Sequence, residues 1–285
     1  MGCGSWTSSS FKDYATKCSY SVSASTGEIT DDCSVQELYK QKTLDADLSP
    51  YNAMRLCCDS EEHPETVPVI LALDVTGSMG KAAEEIAKKL NVIMTKLFGE
   101  IKDIEFMTMG IGDLAYDSYP IQATQFESDI RIAEQLGKIY FEFGGGMNPY
   151  ESYTAAWYFG LHNTQLDCWK RNKKGIIVTI GDEFINPILP YKNLNRVLGC
   201  SEQADVETQS LYQEVTKKFD VYHIDISHRI RHSEDELHKS WAILGDHYIR
   251  SDLNSTVDNI IDVIKRSVDG VSVGTVSVGA DGISW

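Results

Sequence analysis

Three oxygen-bearing side chains stand two residues apart directly after the most apolar segment of the chain. Asp74, Thr76 and Ser78 follow the uncharged run 67–73, and residues 81–98 then show helical periodicity. A carboxylate and two hydroxyls on one strand-to-helix turn are hard oxygen ligands, which suit Mg²⁺, Mn²⁺ or Ca²⁺ better than zinc or copper. A simpler interpretation is that Asp74 and Ser78 only cap the helix that follows.

Two further segments carry oxygen-bearing side chains near predicted elements. The glycines at 144–146 are followed by Asn148, which could offer a carbonyl oxygen, and by Glu151, which could offer a carboxylate. Glycines chosen only for a tight chain reversal are the alternative interpretation. The uncharged run 175–181 ends at Asp182. Because binding crevices lie at the carboxyl ends of parallel strands, the acids after the two uncharged runs are expected to face each other.

The elements that must position these residues alternate regularly from Val67 onward. Such alternation predicts an α/β fold with a doubly wound, mostly parallel sheet and helices on both faces. Segments 104–111 and 121–126 have no helix between them, which predicts an antiparallel hairpin at the sheet edge. The predicted strands are 68–74, 104–111, 121–126, 175–181, 219–226 and 246–250, and the predicted helices are 80–98, 128–138, 149–162, 205–218, 233–243 and 254–267.

The motif Asp74-x-Thr76-x-Ser78 resembles the Asp-x-Ser-x-Ser motif of the von Willebrand factor A (vWA) domain, where it opens the metal-ion-dependent adhesion site (MIDAS). Threonine here replaces the first serine and keeps the hydroxyl. The resemblance covers residues 67–268 and indicates a bacterial or phage intracellular member. The resemblance implies a Rossmann-like α/β fold of the vWA type.

The resemblance also assigns the other site residues. The family usually follows a Gly-Gly loop with a threonine that reaches the metal, and this chain lacks that threonine. Asn148 is favoured in its place, with Glu151 as the alternative. Asp182 matches the family's second aspartate, which commonly bonds to metal-bound water.

The function implied by the resemblance is that of a non-enzymatic protein-interaction module. Asp74, Thr76, Ser78 and Asn148 would hold Mg²⁺, or Mn²⁺ or Ca²⁺, with Asp182 acting through water. A carboxylate from a protein partner would complete the coordination. An AAA-type ATPase or the subunits of an assembly are the candidate partners.

The amino-acid composition limits which partners and which cellular location are expected for this protein. The 285 residues include 26 Lys and Arg against 42 Asp and Glu, a formal net charge of −16. Nucleic-acid binding is not expected, because it depends on cationic side chains. No membrane-spanning segment or export signal is expected, and seven cysteines without a disulfide framework favour a cytoplasmic protein.

The two ends of the chain support an alternative function. Residues 1–66 form a polar, Ser- and Thr-rich extension with scattered aromatic residues, expected to pack on the core or on a neighbouring molecule. Residues 269–285 form a tail in which 271–279 alternate like a strand. Both could support oligomerisation. The alternative is therefore a structural subunit of a phage particle or of a bacterial assembly, with a stabilising or vestigial metal site. A phage subunit would be located in the virion.

Other kinds of site have weaker support. A phosphoryl-accepting aspartate at 74 would usually have a second aspartate at Thr76, and no phosphate-binding glycine loop follows the first strand. Zinc could be bound by the histidines from His223 to His247, or by Cys3, Cys18, Cys33, Cys57, Cys58 and His63. Neither set has the His-Glu-x-x-His or Cys-x-x-Cys spacing of a zinc site.

Overall fold

The computed structural model describes residues 4–143, 149–226 and 234–270, and a six-stranded sheet forms its centre. The sheet order is β12-β11-β7-β2-β3-β4, and only β4 runs antiparallel to its neighbour. The strands are β1 (Arg55–Cys57), β2 (Val67–Asp74), β3 (Ile104–Ile111), β4 (Ile121–Ala123), β5 (Tyr150–Glu151), β6 (Thr164–Leu166), β7 (Gly175–Gly181), β8 (Phe184–Ile185), β9 (Ile188–Leu189), β10 (Val206–Glu207), β11 (Phe219–Asp225) and β12 (Tyr248–Arg250).

Helices cover both faces of this sheet, so the predicted α/β fold with a doubly wound, mostly parallel sheet is confirmed. The antiparallel edge hairpin is also confirmed, although β4 ends at Ala123 rather than at residue 126. The helices are α1 (Ser8–Lys17), α2 (Val35–Leu38), α3 (Gly80–Lys88), α4 (Leu90–Glu100), α5 (Arg131–Leu136), α6 (Thr154–His162), α7 (Tyr191–Leu198), α8 (Thr208–Val215), α9 (Glu234–Ser240) and α10 (Thr256–Asp269).

The uncharged run of β2 is explained by burial on both faces. Val69, Leu71 and Leu73 belong to one hydrophobic core, which α3, α4, α5 and α10 also enter. Ile70 and Ala72 belong to a second core, which α6, α7, α8 and α9 enter. A charged side chain on either face would have to be taken out of water, so the sequence of a central parallel strand is apolar throughout.

Two helix predictions need correction. The predicted helix 80–98 is two helices, because the chain leaves helical geometry at Lys89, whose φ is −97° and ψ 9°. Helix α7 was not predicted at all. Its signals were present: Pro190 precedes it and Gly199, with φ +73°, ends it in the left-handed conformation that glycine tolerates.

Most buried apolar residues of the segment 4–66 pack against the first core, and Cys57 of β1 packs in the second. Trp6, Phe11, Val35 and Leu48 are buried in the first core. Helix α1 was not predicted, because its buried face consists of only two residues, Phe11 and Ala15, one turn apart. The Thr7 hydroxyl accepts a hydrogen bond from Ser10 N at 3.1 Å and caps this helix.

Some predictions concern segments outside the described residues. The glycine loop with Asn148 and the strand pattern at 271–279 belong to this group. Within the described ranges, none of the helices combines the length and the apolar character that crossing a membrane requires.

Candidate metal centre

The site lies where the strand order of the sheet reverses. In chain order the six strands are arranged 3-2-1-4-5-6, and β2 and β7 are the neighbours on either side of the reversal. Sheets of this kind bind ligands at that point, beyond the carboxyl ends of the strands. Asp74 is the last residue of β2, and Asp182 directly follows β7. Strand pairing therefore brings together two acids that are 108 positions apart in the sequence.

The turn after β2 links these acids through hydroxyl groups. Asp74 Oδ1 accepts hydrogen bonds from Thr76 N at 2.8 Å and from Thr76 Oγ1 at 2.6 Å. Ser78 Oγ donates to Asp182 Oδ1 at 2.9 Å, and Thr76 Oγ1 lies 3.4 Å from Ser78 Oγ. Four of the five side chains proposed from the sequence therefore form one network. The fifth, Asn148, lies outside the described residues.

Tyr153 is a member of this network that sequence reasoning missed. Its hydroxyl donates to Asp74 Oδ2 at 2.8 Å and accepts from Asp182 N and Glu183 N, each at 3.2 Å. The side chain is fully buried. A Cβ on Gly181 would lie 2.1 Å from the tyrosine hydroxyl, so the glycine leaves the space that Tyr153 fills. That glycine at the end of a buried strand was the only indirect signal in the sequence.

Burial makes the ionised forms of the carboxyl groups in the crevice unfavourable. It raises the pKa of Asp74 to about 7, with a further contribution from the negative charge of Asp182. Burial also raises the pKa of Glu151 to about 11, and Asp74 is the largest of the neighbouring charges that add to this shift. Glu151 Oε2 is buried and has no hydrogen-bond partner among the described residues. The crevice thus has more carboxylate than its own donors can satisfy.

This donor set fits a hard divalent cation. A hydroxyl that donates its hydrogen keeps lone pairs, so Thr76 and Ser78 can coordinate an ion while they remain bonded to the acids. Their 3.4 Å separation corresponds to adjacent ligands at about 2.4 Å from an ion, a calcium-like distance; magnesium would need them about half an ångström closer. Within the described ranges no three His, Cys, Asp or Glu side chains form a metal-binding group, so hydroxyls would have to contribute.

Two neighbouring residues are not brought into the network. Thr154 is the first threonine after the glycine loop, but it accepts a hydrogen bond from Asn186 Nδ2 at 2.5 Å. Glu151 pairs with Ile185 through the short β5–β8 ladder, which holds it beside the crevice. Of the alternatives for the missing threonine, Glu151 is the one that the structure describes.

The alternative zinc sites gain no support from the described residues, among which no metal-binding group is found. His223 Nδ1 lies 2.9 Å from Thr179 Oγ1, and its ring stacks on Trp241 at a centroid distance of 3.6 Å. His247 Nδ1 lies 3.0 Å from the carbonyl oxygen of Val221. His228 and His232 are outside the described ranges.

His223 is expected to make stability depend on pH. Burial holds its pKa well below 6.5, so below that pH the unfolded chain takes up a proton that the folded chain does not. The contribution of His223 to the unfolding free energy should therefore fall by about 1.4 kcal/mol for each pH unit below 6.5. His223→Asn keeps a donor towards Thr179 and should lose this contribution. Urea unfolding of wild type and His223→Asn at pH 7.0 and about 5.5 measures this contribution. An equal pH dependence of the two proteins would contradict the assigned role of His223.

No protein-family model and no curated protein sequence matches this chain. Similar solved structures include the pilus adhesin SpaC from Lactobacillus rhamnosus GG in its open conformation, with a TM-score of 0.49 and 11% identity over 74% of this chain. This chain covers 31% of SpaC, about a third of its length. The vWF domain of the type V pili tip protein Mfa5 from Porphyromonas gingivalis has a TM-score of 0.47 and 9% identity, covering 74% of this chain and 98% of that domain.

Proposed function

We propose that this protein is a non-enzymatic, vWA-like module that binds a divalent cation in the crevice between β2 and β7. The observation that carries the proposal is the hydrogen-bonded network of Asp74, Thr76, Ser78 and Asp182 at the reversal of strand order. Mg²⁺, Mn²⁺ and Ca²⁺ all accept such oxygen ligands. Asn148 is proposed to contribute a further oxygen.

The proposed partner is a protein that presents an Asp or Glu side chain. Without a cation, the carboxylates of the crevice would repel such a side chain. A bound divalent ion supplies positive charge at that point, so capture of the partner should depend on the ion. An AAA-type ATPase and an assembly subunit are the partners we consider, and a cytoplasmic location stays a prediction.

The surroundings of the hydroxyls support a binding role over catalysis. Thr76 and Ser78 donate to carboxylates, and neither contacts a His or Lys in the described part of the chain that could act as its base. The aromatic residues Trp6 and Phe11 are buried against the chain's own core. They are therefore accounted for without the neighbouring subunit that the structural alternative would use.

Affinity capture from the native host tests this function. Wild type and Asp262→Ala, which changes an exposed acid on α10, should recover the same partner in buffer with Mg²⁺ or Ca²⁺. Asp74→Asn, or EDTA with wild type, should reduce recovery at least about tenfold, because a buried charge contact between partners is lost. Equal recovery in all four samples would show that the crevice is not the capture site.

A further inference from the structure

A second possible binding site lies beside the edge strand β4. A cavity of about 480 Å³ is lined there by residues that include Arg55, Gln125 and Lys138. Pockets that hold small organic molecules have volumes of about 300–1,000 Å³. The cavity is separate from the crevice, since none of the crevice residues lines it.

Arg55 is built into the wall of this cavity. The residue is only 7% exposed. Its Nη2 donates to the carbonyl oxygens of Asp47 at 2.9 Å, Ser49 at 3.2 Å and Ala123 at 2.9 Å. These bonds fix the guanidinium between the segment 47–49 and the end of β4. Among the described residues, the buried Nε has no hydrogen-bond partner.

The charge of Arg55 has no partner of opposite sign at contact distance among the described residues. Its bonds go to neutral carbonyls, and burial lowers its pKa. Asp47 is the acid that offsets this effect, but its carboxylate pairs with Lys138 at 2.7 Å. Buried charged side chains are normally paired, so the cavity wall presents a positive charge that an anion would complete.

The other residues that line the cavity are compatible with a bound anion. Lys138 adds a second cation, and its ion pair with Asp47 reduces the repulsion from that acid. Glu134 also lines the cavity, but it is exposed and can remain in water. The amide of Gln125 adds both a donor and an acceptor. Physiological salt screens the net charge of the chain beyond about 8 Å.

We infer that this cavity binds a small organic anion, whose oxyanion group pairs with Arg55 and whose polar remainder contacts Gln125 and Lys138. A carboxylate and a phosphate share the oxyanion chemistry that a guanidinium recognises. The inference is independent of the crevice and of the cation.

The test is a titration of the full chain, first stripped of metal with EDTA and then dialysed free of EDTA, monitored by NMR of the arginine Nε–H and glutamine amide signals. Inorganic phosphate and citrate are compared with NaCl at equal ionic strength. The signals of Arg55 and Gln125 should shift and saturate with at least one of the two. Saturation with phosphate alone identifies a phosphate site, and saturation with citrate alone identifies a carboxylate site.

Variants complete the test. Lys138→Met should weaken binding several-fold, because it removes a cation and leaves Asp47 unpaired. Lys173→Met, which changes an exposed lysine outside the cavity lining, should bind as wild type does. Arg55→Lys should abolish saturation; if it does not fold, Lys138→Met still decides. Shifts no different from those with NaCl, or equal binding by the two methionine variants, would overturn the inference.

Discussion

A divalent cation at a hundred times its dissociation constant is expected to raise the unfolding free energy of the wild-type protein by about 2.7 kcal/mol. Asp74→Asn should abolish that gain. Asparagine keeps the size of the side chain and an acceptor for Thr76, but it removes the negative charge that the ion would neutralise. For a chain of this size, the wild-type gain corresponds to a rise in melting temperature of about 5–10 °C.

Thermal melts in EDTA and in millimolar Mg²⁺ or Ca²⁺ measure this effect. Asp262→Ala is the matched control, since it removes an exposed carboxylate from α10 and should respond to the cation as wild type does. Ser78→Ala should weaken the response without abolishing it, because the carboxylates remain. Identical wild-type melts with and without cation would contradict the proposed site.

The sheet and the position of the crevice could be predicted because both follow from strong local patterns. The runs 67–73 and 175–181 lack charge, as strands buried on two faces must. Each ends in an acid, and parallel strands present their carboxyl ends at one edge. Asp74 and Asp182 therefore had to lie at the same edge once both runs were assigned as parallel strands.

What could not be predicted depends on contacts between distant segments. Tyr153 meets Asp74 across 79 positions of sequence. It does so only because the turn before α6 aims its ring at Gly181, and a single tyrosine near a helix start has no pattern that reveals this. Helix α1 was missed for a related reason: its stability comes from burying Phe11 and Ala15 against the core rather than from its own periodicity.

The crevice also shows how a site can cost stability before its ligand binds. Asp74 is 1% exposed, and Glu151 is 6% exposed. Burial favours the neutral form of both acids, so the ionised forms are unfavourable at neutral pH. Cation binding would offset part of this cost. The buried carboxyl groups therefore account both for the loss of stability at the crevice and for the proposed binding of a cation.

Tyr153→Phe is expected to lower the unfolding free energy by about 2–4 kcal/mol in the absence of cation. The phenyl ring keeps the packing against His223 and Trp241, whose rings lie 5.0 and 5.4 Å from that of Tyr153. The hydroxyl, however, is lost from the centre of the crevice. Asp74 Oδ2 then loses a donor, and the backbone N–H groups of Asp182 and Glu183 lose an acceptor.

Tyr39→Phe is the matched control, because its buried hydroxyl makes a single bond, to the carbonyl oxygen of Ala83 at 3.2 Å. It should cost about 1 kcal/mol. Urea unfolding of the three proteins, with and without cation, separates two effects. The cation should stabilise Tyr153→Phe more than wild type, since the freed oxygen of Asp74 gains a charged partner. If Tyr153→Phe loses no more stability than Tyr39→Phe, the tyrosine hydroxyl does not hold the two acids in place.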